Sequence, residues 1–132
     1  MSRYRIEAEY RLPREVYMST LWYIRNYRRW CEQREEVLEG TPKPDGQPRP
    51  TLPGDPTARA AERLAMLSGK IRPIEQALEH IPEEYRRGVL RAIIERERYP
   101  DYADEKTWKR WRQRFVYFVA IETGMHYKGG GR

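Results

Sequence analysis

From Thr57 to Ile81 the residues Thr57, Ala60, Leu64, Leu67, Ile71, Ile74, Leu78 and Ile81 follow one another at alternating steps of three and four. A repeat of 3.5 residues held over three heptads cannot lie on a strand, whose faces alternate at every residue. It marks one helix with a single apolar seam. Asp55 is placed to cap that helix, and Pro56 opens it at a position where a missing N–H costs nothing. Pro73 falls inside the seam, with its ring set against the carbonyl of Gly69 four residues earlier, so a kink near Pro73 is expected rather than a stop.

A seam of that length needs a partner. Upstream, the pairs Val16/Tyr17, Tyr23/Ile24, Trp30/Cys31 and Val37/Leu38 recur every seven residues, with Thr20 and Tyr27 between them. Pro13 and Glu15 suit a helix start, and Gly40-Thr41-Pro42 suits a stop. The pattern predicts one helix over 14–39, roughly 39 Å long at the usual rise. Residues 41–54 hold five prolines and two glycines and read as an extended linker. Two helices of similar length joined in this way predict an antiparallel hairpin spanning 13–81.

Before the hairpin, Tyr4, Ile6, Ala8, Tyr10 and Leu12 alternate with Arg3, Arg5, Glu7, Glu9 and Arg11, which is strand periodicity. One strand has no sheet to join, so residues 1–12 are expected to be a tail or a short helical extension, the alternative being pairing with a second copy. After the hairpin, Pro82 restarts the chain, and Tyr85, Val89, Leu90, Ile93 and Ile94 make an apolar face. Tyr99-Pro100 breaks that helix, and Asp101 or Asp104 caps a last one over about 105–123, which Gly124 ends. Residues 125–132 read as a disordered tail. The fold class expected is all-α: the hairpin plus a compact helix pair over 82–124.

Charge is placed unevenly along this scaffold. The net charge of the chain is +6, yet residues 1–55 hold ten Lys/Arg against nine Asp/Glu and the remainder sixteen against eleven. A basic C-terminal part suggests an anionic partner met there. Five cations, Lys106, Lys109, Arg110, Arg112 and Arg114, crowd into nine residues with no carboxylate among them, interleaved with Trp108, Trp111 and Phe115. Helical spacing puts Trp108, Trp111, Phe115, Phe118 and Val119 on a packing stripe, with Ile121 at its margin. Lys106, Arg110, Gln113, Arg114 and Tyr117 fall on the opposite side, and Arg112 nearer the packed one. The contact set expected for nucleic acid is therefore Lys106, Thr107, Lys109, Arg110, Gln113 and Arg114, where arginine suits guanine and glutamine adenine. Arg86, Arg87 and Arg91 on the preceding helix are candidates for phosphate, or for pairing with Glu83, Glu84 or Glu95.

Nothing in the sequence supports catalysis. There is no Ser/His/Asp arrangement, no glycine-rich phosphate loop and no cofactor motif, and His80, His126 and the single Cys31 are too scattered to bind metal. Mean hydropathy is −1.00 and no apolar run approaches a membrane span, so a soluble cytoplasmic protein is expected, without cofactors and without a membrane partner.

Thr107-Trp108-Lys109-Arg110-Trp111 is loosely similar to the T-V-K-x-R segment that opens the recognition helix in region 4 of sigma factors. More broadly, PDGQPRP (Pro44 to Pro50), DPTARAA (Asp55 to Ala61), IPEEYRRGV (Ile81 to Val89) and YPDYADEKTWKRWRQRFVYFVA (Tyr99 to Ala120) together resemble prophage-encoded transcriptional regulators of the RinA/ArpU type. The resemblance implies control of late phage genes through promoter DNA. It also implies a helix-turn-helix-like unit over 82–124, here shortened, because only twelve residues separate Ile94 from Thr107. On this reading the partner is double-stranded DNA, and the hairpin dimerises or engages RNA polymerase. The alternative is a phage assembly protein, a small-terminase-like adaptor that uses the 56–81 seam as its contact surface. Binding of single-stranded RNA through exposed Tyr and Trp is a third expectation.

Overall fold

The apolar seam is buried inside the chain itself. In the computed structural model, which describes residues 5–40 and 55–127, helices α1 (Arg14–Arg25), α2 (Tyr27–Gly40), α3 (Pro56–Leu78), α4 (Glu83–Ile94) and α5 (Glu105–Glu122) follow a 3-10 turn at Ala8–Tyr10. The fold is all-α, with no strand among the described residues. The expected linker over 41–54, residues 1–4 and residues 128–132 of the expected tail lie outside the described residues. Leu67, Ile71 and Ile74 of α3, and Ile81 just beyond it, are fully buried, whereas Ala60 and Leu64 are half-buried and Thr57 is exposed. Ala77 is buried where the heptad pattern named Leu78. A helix of 3.6 residues per turn drifts against a strict seven-residue repeat, and the neighbouring position rotates inward.

Helix α3 runs through Pro73 without interruption. The interruption comes instead at Asn26, which divides the single helix expected over 14–39 into α1 and α2. At Asn26 the backbone N–H turns to the Tyr23 carbonyl, and its side-chain amide donates to the Trp22 carbonyl at 2.8 Å. A side chain that takes over the i−4 carbonyl in this way bends a helix at that residue. Beyond the bend, α2 packs along α3. The Lys70 ammonium lies 5.5 Å from the Trp30 ring centre of α2, and from the end of α1 the Tyr23 hydroxyl donates to the Lys70 carbonyl at 2.6 Å.

Helix α5 is the centre of the molecule, touching α1, α3, α4 and the N-terminal turn. Trp108, Phe115, Val116, Val119 and Ala120 are fully buried in it, and Tyr117 nearly so. The expected stripe is thus correct for Trp108, Phe115 and Val119, but Trp111 and Phe118 are only half-buried. Tyr117 and Gln113, expected on the open side, are buried. The N-terminal segment covers them: Tyr10 meets Tyr117 edge-on at 5.3 Å and Phe118 at 5.8 Å. Residues 5–12 are therefore a strap docked on α5, not a free tail.

Close approach of α4 to α5 is set by one glycine. A Cβ added at Gly88 would lie 2.6 Å from two ring carbons of Trp108 and 3.1 Å from Pro100 Cδ, whereas one added at Gly69 meets nothing within 4 Å. Both glycines are inside helices, where alanine is ordinarily favoured by about 1 kcal/mol. Gly69→Ala is expected to raise the urea midpoint of unfolding. Gly88→Ala is expected to lower it, by roughly 1–3 kcal/mol of stability, since overpacking outweighs propensity. Equal shifts of the same sign would contradict the packing described.

Candidate nucleic-acid interface

The exposed part of α5 is its beginning. Asp104 occupies the N-cap position with extended backbone but makes no side-chain capping bond, so the first turn of α5 is left open to other anions. Lys106 and Arg110, one helical turn apart, are exposed, and Thr107 is half-buried between them. Lys109 pairs with Glu105 at 3.3 Å across one turn. That carboxylate stands just outside the acid-free run, and it offsets one of the cations expected to be unpaired. From the third turn onward every residue of the helix but Glu122 is at least half-buried.

The later members of the expected contact set are engaged with the strap. Gln113 is only 9% exposed; its Oε1 accepts from the Glu7 N–H at 3.1 Å and its Nε2 donates to the Glu7 carbonyl at 3.0 Å. An amide held by backbone on both its donor and acceptor sides has no reach to a base edge, so Gln113 leaves the contact set. Arg114 donates to both Glu7 carboxylate oxygens, at 3.1 and 2.9 Å, and its guanidinium lies 4.8 Å from the Tyr10 ring centre and 5.1 Å from that of Trp111. The Glu7 hydrogen bonds push the Arg114 guanidinium above its ordinary pKa, against burial. Arg114 is a fastener of the strap.

On α4 the three arginines part company. Arg86 donates to the Ile81 carbonyl at 2.8 Å and closes the turn after α3. Arg91 stands 4.0 Å from Glu97, not from the carboxylates the sequence suggested. Glu95 is taken by Arg28 of α2. Arg87 is exposed and remains a phosphate candidate.

Sequence spacing could not reveal which other cations join this face. Arg11 and Arg14, from the strap and the start of α1, line a cleft of about 480 Å³ with Lys109, Arg112 and the rings of Tyr10, Tyr17 and Tyr99. Their only sequence signal is a pair of arginines flanking Leu12-Pro13, within a stretch whose alternation points to a strand. Among the described residues no group of three His, Cys, Asp or Glu side chains could hold a metal ion, and no helix is long and apolar enough to cross a membrane. No protein-family model, no curated protein and no solved structure matches the chain.

Proposed function

We propose that this chain binds double-stranded DNA with the first two turns of α5. The observation that carries the reading is the exposure of Lys106 and Arg110 on one face of a helix whose remaining turns are fixed in the core. Helix-turn-helix proteins read base edges with the N-terminal residues of a helix that is held from behind in this way. Thr107 and Lys109 stand beside them, and Arg11 and Arg14 extend the basic face toward a flanking phosphate strand. The resemblance to RinA/ArpU-type regulators supports a role in prophage transcription. Assembly through the 56–81 seam has less to work with, because Leu67, Ile71 and Ile74 are already covered within the chain. The helices still expose apolar side chains, among them Trp22, Leu38 and Met66. A second copy or RNA polymerase would dock on these.

Fluorescence anisotropy with a duplex of about 20–30 base pairs tests the proposal. With four to five phosphates neutralised, log K should fall against log salt with a slope of roughly −4. The double variant Lys106→Ala/Arg110→Ala should bind at least about tenfold more weakly and flatten the slope by roughly 2. Unchanged affinity and slope in that variant would sink the assignment.

A further inference from the structure

A second basic site lies on the other side of Arg112, where α1, the α4–α5 connection and α5 meet. A cleft of about 640 Å³ opens there, and four guanidiniums line it: Arg25 of α1, Arg96 and Arg98 of the connection, and Arg112 of α5. Three features of this cleft are unfavourable as the chain stands. Arg96 has a φ of 56°, the left-handed conformation that closes α4 and that glycine adopts without strain. Arg112 sends Nη1 to the Tyr99 hydroxyl at 3.4 Å, and against burial Tyr99 and Tyr17 together favour its charge, but its Nε is buried with no hydrogen-bond partner. Arg25 donates from Nε to the Ile93 carbonyl at 3.1 Å, and its charge is opposed by burial and by the nearby guanidiniums of Arg96 and Arg112.

Carboxylates on the cleft do not balance these charges. Glu97, Asp101 and Glu105 share the lining, but Glu97 is turned to Arg91 and Glu105 to Lys109, both outside it, which leaves Asp101 against four guanidiniums. Arg96 and Arg98 make no ion pair among the described residues. A buried donor without acceptor and clustered like charges at one place are both relieved by the same object, a multivalent anion. A planar carboxylate is satisfied by one guanidinium fork, whereas guanidiniums arriving from three elements suit a tetrahedral group with several acceptor oxygens.

We propose that the cleft of Arg25, Arg96, Arg98 and Arg112 binds a phosphate group, carried either by the end of a nucleic-acid strand or by a small phosphorylated metabolite. The cleft borders the first turns of α5 through Glu105 and Trp108, but its four arginines lie outside the set proposed to read duplex.

Thermal melting of the full chain in a phosphate-free buffer, titrated with sodium phosphate against sodium chloride at matched ionic strength, reads it directly. Phosphate should raise the melting temperature progressively and chloride should not. Arg112→Gln should weaken the phosphate response by about tenfold or more, as expected when a charged hydrogen-bond donor is lost. Arg96→Gly gives a sharper signature: it should melt higher than the parent in chloride, because the left-handed position is relieved, yet lose the phosphate-dependent rise. Equal responses to the two salts, or a full phosphate response in both variants, would overturn the site. The source is separated by comparing a 5′-phosphorylated tetranucleotide, its 5′-hydroxyl counterpart and a nucleoside monophosphate. Tighter binding of the phosphorylated strand than of the monophosphate assigns a strand end, and equal binding of those two assigns a small metabolite. Equal binding of the phosphorylated and hydroxyl strands overturns the proposal. Should the phosphate response be absent while duplex affinity still depends on Lys106 and Arg110, the cleft alone is refuted; the reverse result refutes the duplex reading alone.

Discussion

Trp108→Ala should lower stability by about 3–5 kcal/mol, a large share of what a domain of this size possesses. Trp108 is fully buried, and its Nε1 donates to the Pro100 carbonyl at 2.9 Å. Tyr99 stacks parallel to it at 5.7 Å, and Tyr85 and Tyr102 meet it edge-on at 5.0 and 5.2 Å. Tyr102 is itself anchored through its hydroxyl to the Glu84 carbonyl, so α4, the connection and α5 all converge on one indole. Removing it opens a cavity that flanking rings fixed by their own contacts cannot fill. Trp108→Phe should cost less, roughly 1–3 kcal/mol, because the volume is mostly kept while the Pro100 carbonyl loses its donor. Urea unfolding followed by tyrosine fluorescence and far-UV circular dichroism separates the two. A loss below about 1 kcal/mol for alanine would mean the indole is not a core anchor, and base stacking would return as its role.

Gln113→Leu is the second large effect, and it divides two readings of the same residue. Leucine matches the volume but leaves the Glu7 N–H and carbonyl without partners, for about 1–3 kcal/mol. The Arg114–Glu7 pair, 27% and 32% exposed, is too solvated to hold the strap alone. Trypsin should therefore cut after Arg5 or Arg11 faster than in the parent, and the Glu7 amide should exchange faster, with helix content unchanged. Duplex affinity should stay close to the parent's, since releasing the strap uncovers Arg114 but withdraws Arg11 from the basic face. A fall in affinity with the strap still protected would restore Gln113 as a base-reading residue.

These two substitutions also mark where the sequence was legible. The helical placement of Trp108, Phe115 and Val119 follows from spacing alone, as do the start of α3 at Asp55-Pro56 and the end of α5 at Gly124, which takes the expected positive φ of 78°. Asn26 carried a local signal too, a short amide in mid-helix able to compete for the backbone. Gln113 shows the limit. Its angular position on the helix was right, but which segment covers that face is a tertiary fact that periodicity does not encode. The strand-like alternation before Pro13 misled: Ile6 and Ala8 are exposed, the chain turns at Ala8–Tyr10, and it is Glu7 that docks on α5. The arginines at 25, 96, 98 and 112 come from three separate stretches, and no one-dimensional pattern brings them together.

The central place of α5 has a consequence for how the chain is made. Every element that α5 packs against leaves the ribosome before it does, and the strap at Glu7 waits for a partner 106 positions later. Until residues 105–122 emerge, α3 lacks one of the two helices it chiefly packs against. The core is therefore expected to close in one late step rather than to grow helix by helix.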